Sequence, residues 1–176
     1  AETHIKLKKN YNNILTIIIP RHIDRVIQIN KDLTNLNLNV VMYSNFKQIN
    51  KHTDVLLIDC YGEALKFYKI SKCVFLGKSM IKSLINNGGQ NPIEPSRFGC
   101  KIYHGPNVSN FDEIYKKLKT LGIANEIHGS EDLNRFLVEE LKEDKANNDQ
   151  ILTKLENFGA NILDNFLKEI KIYINI

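Results

Sequence analysis

The sequence predicts an α/β domain in which a parallel β-sheet is covered by helices on both faces. Short apolar runs alternate along the chain with stretches in which apolar residues recur with helical period. The runs are continuous, which is typical of parallel strands that are buried on both faces. At 176 residues, with 43% apolar and 25% charged side chains, the chain is long enough to form a core without disulfides or metals.

The first half of the chain contains three strand-like runs. Pro20 ends the first run, and a helical stretch follows it. The apolar face of that predicted helix comprises Ile23, Val26, Ile27, Asn30 and Leu33. The predicted strands cover residues 15–19, 38–42 and 54–58, and a second, short helix covers residues 63–70.

The second half continues the same order of strands and helices. Gly88-Gly89 interrupts the pattern, after which Asn91 caps a helix that has Pro92 at its first position, where no amide donor is needed. Ser130 caps a further helix with an acidic first turn. The predicted strands cover residues 73–76, 101–103 and 123–127, and the predicted helices cover 79–86 and 111–121.

The last segment predicts one long amphipathic helix from about residue 149 to residue 172. Its apolar stripe comprises Ile151, Leu155, Phe158, Ile162, Phe166 and Ile170. The stripe either packs on this domain's own sheet or contacts a domain outside this chain. We therefore divide the chain into an α/β domain at 1–148 and a C-terminal helical segment at 149–176.

The composition excludes several classes of protein. No apolar run approaches the roughly 18 residues of a membrane-spanning helix. The three cysteines are odd in number and far apart, which indicates reduced thiols in a cytosolic environment. The net charge of +4 is dispersed, without the basic stripe interleaved with aromatics that a nucleic-acid binder needs.

Common site motifs are also absent. The sequence has no complete P-loop, since Gly77-Lys78-Ser79 lacks the glycine that should lie upstream, and it has no dinucleotide-binding fingerprint. The five histidines show no metal-ligand spacing, so no metal site is predicted.

Two loops that follow predicted strands carry residues suited to an anionic ligand, because ligands of open parallel sheets bind at the carboxyl ends of strands. In the first loop, after Pro20, Arg21 offers a planar fork to a phosphate, although a solvated arginine is the alternative. In the second, Tyr61 and Gly62 precede a helix, and Gly62 permits close approach of a ligand. Glu63 has an alternative role there as an acid that complements the helix dipole.

The third loop, residues 87–95, is the most informative segment. Gly88 and Gly89 form a tight turn, and the amides from Gly89 to Asn91 are candidates for a phosphate-binding nest. Glu94 projects from the first turn of the following helix, where a carboxylate can accept both hydroxyls of a ribose. Together the three loops predict a site for a nucleotide.

These motifs resemble those of the C-terminal half of the Kdo transferases, which move 3-deoxy-manno-octulosonic acid (Kdo) from its cytidine monophosphate (CMP) ester to lipid A precursors. The resemblance covers most of the first two-thirds of the chain, in the family's order. The matching pieces are Pro20-Arg21-His22 with Arg25, then residues 59–63, 75–79 and 88–95, and finally Gly105-Pro106 with Asn110-Phe111.

The resemblance implies a GT-B glycosyltransferase built from two Rossmann-like halves, of which this half binds the donor CMP-Kdo. It implies no cofactor and no metal. The general base, the lipid acceptor site and the membrane association belong to the other half, so this chain alone is expected to be inactive and soluble, whereas the full enzyme acts at the cytoplasmic face of the bacterial inner membrane. The resemblance places Pro20, Arg21, Tyr61, Gly62, Glu63, Gly88, Gly89, Asn91, Pro92, Ile93 and Glu94 around CMP.

Departures from the family pattern keep a rival function open. Residues 1–4 resemble the end of the family's first strand in this half, but the glycine and acidic residues that should follow are absent, so we expect the sheet to lack its first strand. Three further departures are Gln90 for the usual His, Cys60 for the usual Thr and Lys78 for the usual Gly. The rival is a truncated, non-enzymatic α/β domain that serves at most as a nucleotide-binding or protein-interaction module.

Overall fold

The computed structural model describes residues 1–45, 48–84, 86–142 and 149–160, which fall into two compact units. The first unit contains residues 1–67 and 129–142, and the second contains residues 68–128 and 149–160. Each unit has its own three-stranded parallel sheet. Within the described ranges, no helix is long and apolar enough to cross a bilayer.

The sheet of the first unit has the order β1-β3-β2. Its central strand pairs on both sides, since Leu56 lies opposite Ile17 on one neighbour and opposite Val41 on the other. The elements are α1 (Glu2–Lys8), β1 (Thr16–Ile18), α2 (Val26–Asn35), β2 (Val40–Met42), β3 (Val55–Leu57), α3 (Ala64–Tyr68) and α6 (Ser130–Lys142).

Side chains on both faces of this sheet are covered by helices, as the sequence predicted. Val55 lies in a cluster with Leu33 of α2, against which Ile5 of α1 packs. The next residue of the strand, Leu56, points to the opposite face and packs with Phe67 of α3. Successive residues of one strand therefore contribute to two cores, which explains why the run is apolar throughout.

The buried face of helix α2 differs from the predicted apolar face at one residue. Val26 and Leu33 are buried, but Ile27 is 81% exposed. Successive residues of an α-helix lie about 100° apart around its axis, so Ile27 lies beside the face that Val26 and Leu33 share. The helix ends at Asn35, and Asn37, two residues later, has a φ of +59°, a common geometry for asparagine after a helix.

A buried polar network lies at the amino-terminal edge of the same sheet. The Asp54 carboxylate accepts hydrogen bonds from the Lys8 ammonium, from the Asn39 amide at 2.8 Å and from His4. His4 also shares a 2.8 Å hydrogen bond with the Thr16 hydroxyl. Desolvation opposes ionisation of Asp54, but the hydrogen bonds outweigh it and lower its pKa to about 2. The network fastens α1 to the strands.

The start of the chain differs from the expectation. Residues 2–8 form helix α1 and not the end of a strand, and no strand precedes Thr16 in the described part of the chain. Its acidic first-turn Glu2 and its basic last-turn Lys6 and Lys8 complement the helix dipole.

The sheet of the second unit has the order β4-β5-β6. Its elements are β4 (Cys73–Leu76), α4 (Ile93–Ser96), β5 (Lys101–His104), α5 (Asp112–Thr120) and β6 (Ala124–Glu126), with a further helix at 149–160. The core combines Ile102 of β5 with Tyr115 and Leu118 of α5. Ile151, from the helix at 149–160, is buried in the same core. The described part of the C-terminal stripe therefore packs on the domain's own sheet, and residues 161–172 lie outside the described residues.

The prediction of a helix at 79–86 was wrong. The described residues of this range contain no α-helix, and only Lys82–Leu84 are helical, as a 3-10 turn. The reason lies in tertiary hydrogen bonds. The carbonyl oxygen of Ser79 accepts the Asn107 amide at 2.9 Å, and that of Ile81 accepts the Asn107 side-chain amide at 2.9 Å. These carbonyls are thereby withdrawn from a helical ladder.

Candidate functional site

The first two predicted loops leave the same edge of the first unit's sheet. Strands β1 and β3 are parallel neighbours, and the Ile58 amide donates to the Ile18 carbonyl at 2.9 Å beyond the last paired residues. Pro20 is half-buried and Arg21 is exposed. Among the described residues, no hydrogen bond or ion pair engages the Arg21 guanidinium, so its fork remains available to an anion.

The second loop presents an aromatic ring and keeps its acid occupied. Tyr61 is 70% exposed, and Gly62 has a φ of +85°, which glycine adopts without strain. Glu63 accepts hydrogen bonds from Lys66 at 2.7 Å and from the Tyr43 hydroxyl at 3.1 Å. The bond from Lys66, followed by that from Tyr43, lowers the pKa of Glu63. Its carboxylate therefore serves the local structure as an ionised acceptor.

The glycine segment, defined here as residues 88–90, lies in the second unit against the loop that follows β5. A Cβ on Gly88 would lie 2.2 Å from the carbonyl oxygen of Asn107, a separation that real atoms do not reach. Gly89 has a φ of +86°, and a Cβ there would lie 3.0 Å from the Cα of Val108. Both positions require glycine because backbone approaches backbone.

Two buried aromatic side chains, those of Tyr115 and His104, support the glycine segment. The Tyr115 hydroxyl donates a 2.9 Å hydrogen bond to the carbonyl oxygen of Gln90. The His104 ring lies 4.3 Å from the Tyr115 ring, and its Nδ1–H donates to the Gly105 carbonyl at 2.7 Å. Burial lowers the pKa of His104, which keeps the ring neutral at physiological pH. Tyr115 thereby fixes the segment directly to α5, and the contact between the Tyr115 and His104 rings links it indirectly to β5.

The loop after β4 supports the glycine segment from the other side. The Gly89 amide donates to the Lys78 carbonyl at 3.3 Å. Ser79 is fully buried, and its hydroxyl accepts the Gly105 amide at 2.8 Å while donating to the Leu76 carbonyl at 2.7 Å. The carboxyl ends of β4 and β5 and the glycine segment therefore form one connected structure.

Helix α4 begins after an asparagine turn. The Asn91 side-chain oxygen accepts the Ile93 amide at 3.0 Å, while Pro92 and Pro95 are buried. Ile93 and Glu94 are exposed. The Glu94 carboxylate has no hydrogen bond or ion pair among the described residues, although its charge contributes, after burial, to a raised pKa of Tyr68.

The amides ahead of this helix are partly occupied. That of Gly89 is paired, but those of Gln90 and Asn91 have no hydrogen-bond partner within the described ranges. These two donors and the Glu94 carboxylate can therefore serve a ligand.

The structure groups the predicted residues by unit. Pro20, Arg21 and residues 61–63 lie in the first unit, and residues 88–94 lie in the second. Sequence reasoning missed the supporting residues Ser79, His104, Asn107 and Tyr115. A signal existed only for Ser79, which falls in the matched segment 75–79, and the others act through contacts between distant positions. No group of three potential metal ligands occurs in the described part of the chain.

Comparison with known proteins tests the resemblance that the sequence motifs predicted. No family model matches the chain. The 3-deoxy-D-manno-octulosonic acid transferase of Haemophilus influenzae is 29% identical over 98% of this chain and 40% of that protein. The enzyme of the same name from Aquifex aeolicus is 23% identical over 96% of this chain and 44% of that protein. The chain thus spans less than half the length of these relatives.

A solved structure shows the same fold. The crystal structure of the C-terminal CMP-Kdo binding domain of WaaA from Acinetobacter baumannii matches with a TM-score of 0.78 and 23% identity, over 88% of this chain and 79% of that chain. The α/β fold with parallel sheets is confirmed by this match. The predicted resemblance is also confirmed: over nearly its whole length this chain is similar to Kdo transferases, and its fold is that of the C-terminal domain of WaaA.

Proposed function

We propose that this chain is the donor-binding part of a Kdo transferase and that it binds CMP-Kdo. The observation that carries this proposal is the glycine segment, whose two glycines are enforced by backbone contact. Among the described residues, the amides of Gln90 and Asn91 and the nearby Glu94 carboxylate have no hydrogen-bond partner. This combination suits a phosphate beside a ribose. The similarity to Kdo transferases supports Kdo as the sugar, and the similarity to the CMP-Kdo binding domain of WaaA supports CMP as the nucleotide.

In this proposal, the segment from Gly88 to Asn91 contacts the phosphate through backbone amides, and Glu94 accepts the hydroxyls of the ribose. Pro92 and Ile93 shape the turn between them. From the first unit, Pro20, Arg21 and residues 61–63 are assigned to the same ligand by the resemblance. The role of Arg21 is to neutralise the phosphate, and that of the Tyr61-Gly62-Glu63 loop is to contact the nucleotide through its exposed aromatic ring and its backbone.

The chemistry follows from charge. When the bond between Kdo and the phosphate breaks, CMP leaves as an anion and its phosphate gains negative charge. A guanidinium and fixed backbone amides directed at that phosphate stabilise the developing charge more than the ground state. The attacking hydroxyl also needs a general base. We assign that base, and a lipid A precursor as acceptor, to the part of the relatives that this chain does not match, and we place the complete enzyme at the cytoplasmic face of the bacterial inner membrane.

The test is calorimetric titration of the 176-residue chain with CMP and with cytidine, which lacks the phosphate. Arg21→Ala should weaken binding of CMP by about 1.5 to 3 kcal/mol and leave cytidine unchanged. Glu94→Gln should weaken binding of both. Lys31→Ala removes an exposed cation from α2, outside the predicted loops, and should change neither.

Circular dichroism of each variant excludes general damage to the fold. Binding of neither ligand by the wild type would contradict the proposal and favour a non-enzymatic α/β domain. If Arg21→Ala weakens binding of CMP and cytidine equally, the role of Arg21 is refuted, but the rest of the proposal stands.

A further inference from the structure

Lys78 adopts a backbone conformation that suits glycine. Its φ is +62°, and the only other non-glycine residue with positive φ in the described ranges is Asn37. Asparagine tolerates this region because its short polar side chain bonds locally, whereas lysine has no such compensation. A strained residue of this kind persists only where the surrounding structure fixes it.

The surroundings of Lys78 do fix its backbone. Its carbonyl oxygen accepts the Gly89 amide at 3.3 Å, and the next residue, Ser79, is fully buried. Both the hydroxyl and the carbonyl of Ser79 bond the loop after β5, through Gly105 at 2.8 Å and Asn107 at 2.9 Å. Glycine at position 78 would preserve every one of these contacts, since none of them involves the side chain of residue 78. The contacts therefore do not account for a lysine side chain.

The contacts of the Lys78 ammonium differ from those of several other lysines. Some lysines of the protein pair with acids, as Lys66 does with Glu63 at 2.7 Å and Lys116 with Asp112 at 2.6 Å. Lys78 is half-buried, yet within the described ranges no hydrogen bond or ion pair engages its ammonium. The ammonium, which has no partner among the described residues, thus belongs to a residue after the carboxyl end of β4 whose backbone is hydrogen-bonded to the glycine segment.

We propose that Lys78 binds the phosphate of the nucleotide, adding a mobile positive charge to the backbone amides of the glycine segment. This inference rests on the proposed function and adds a binding residue to it. The four-carbon stem allows the ammonium to reach an anion beside residue 89 without moving the strained backbone. The strained conformation is maintained at residue 78 because the side chain that causes the strain also supplies the charge.

The test separates strain from charge by the substitution Lys78→Gly. In the 176-residue chain, this change should raise the unfolding temperature without ligand, because glycine adopts the observed φ without strain. It should weaken CMP binding about tenfold, the effect of losing one charged hydrogen bond, and leave cytidine binding unchanged. Stability and phosphate affinity therefore move in opposite directions, which a merely structural lysine would not produce.

Two further variants complete the test. Lys78→Arg should keep CMP affinity within about threefold, since it retains a cation on a long stem. Lys82→Gly removes a neighbouring exposed lysine and should leave CMP binding as in the wild type. The CMP affinity of wild type should fall more steeply with added salt than that of Lys78→Gly.

The outcomes distinguish this inference from the function on which it depends. If the wild type binds CMP and Lys78→Gly binds it equally well, Lys78 is not a phosphate ligand and the proposed function stands. Equal weakening of CMP and cytidine would also overturn the inference, since it would indicate damage to the loop. If the wild type binds no CMP, both the function and the inference are overturned.

Discussion

The Tyr115 hydroxyl donates a 2.9 Å hydrogen bond to the carbonyl oxygen of Gln90, which fastens α5 to the glycine segment. Tyr115 is 2% exposed, and burial raises the pKa of its hydroxyl, so the group remains a protonated donor throughout the physiological range. The position of the segment that we assign to the phosphate thus depends on a residue 25 positions away in the sequence.

Replacing this donor tests the link. Tyr115→Phe keeps the buried ring and removes only the hydroxyl, so we expect a loss of about 1 kcal/mol in the free energy of unfolding and weaker CMP binding. Tyr11→Phe is the control, because the Tyr11 hydroxyl makes only a 3.4 Å contact with the Val138 carbonyl. Urea denaturation and CMP titration measure both effects. Unchanged stability and affinity in Tyr115→Phe would show that the hydrogen bond does not position the segment.

Substitution by alanine should destabilise the protein far more at Gly88 than at Gly77. A methyl group on Gly88 would lie 2.2 Å from the Asn107 carbonyl oxygen, so Gly88→Ala should destabilise the fold by about 3 kcal/mol or more. Nothing lies within 4 Å of a methyl group on Gly77, so Gly77→Ala should change stability by less than about 1 kcal/mol. Thermal unfolding of the two variants compares them directly. Similar unfolding temperatures would refute the close approach at Gly88.

Acid should remove the stabilisation that Asp54 provides. Its pKa lies at about 2 in the folded protein against 3.8 for an ordinary aspartate. The stabilisation, about 2 kcal/mol, is therefore complete above about pH 4 and is lost as the pH falls towards 2. Asp54→Asn should lower stability at pH 7 and flatten this acid dependence. Urea midpoints between pH 3 and pH 7 would measure it, and parallel curves for variant and wild type would contradict the assignment.

Two apolar residues on α2 should differ sharply. Leu33 is 5% exposed, so Leu33→Ala should cost about 2 to 5 kcal/mol through lost burial and a cavity. Ile27 is 81% exposed, so Ile27→Ala should change stability by no more than about 0.5 kcal/mol. Chemical denaturation of both variants gives the comparison. A large loss of stability in Ile27→Ala would show that Ile27 is buried, as the sequence predicted.

The cysteines should differ in their reactivity with a thiol reagent. Cys100 is fully buried, and burial raises its pKa to about 12, whereas Cys60 and Cys73 are half-buried. We expect Cys100 to react only after denaturation, because the thiolate is the reactive species. Cys100→Ala should show the same labelling as the wild type under native conditions and one thiol fewer in denaturant. Rapid native labelling of Cys100, located by peptide mapping, would contradict this.

The sequence by itself determined the α/β class, the order of strands and helices and the motifs that identify the relatives. These features are local. The run from Val55 to Leu57 is continuous and apolar because both faces of β3 are covered, and the turn at Asn91-Pro92 depends on neighbouring residues. The predicted strand at 73–76 agrees with β4.

Only the tertiary structure decided which residues hold the glycine segment and how the region from Ser79 onward folds. That region has helical periodicity. Two of its carbonyl groups, however, accept hydrogen bonds from Asn107, which lies more than 20 positions away in the sequence. Likewise, Ile27 belongs to an apolar pattern but faces solvent, because the sheet covers the face of α2 that carries Val26 and Leu33, and Ile27 lies about 100° around the helix from Val26. Periodicity records the preferences of neighbouring residues, whereas a hydrogen bond between distant loops is fixed only once the strands that carry them are paired.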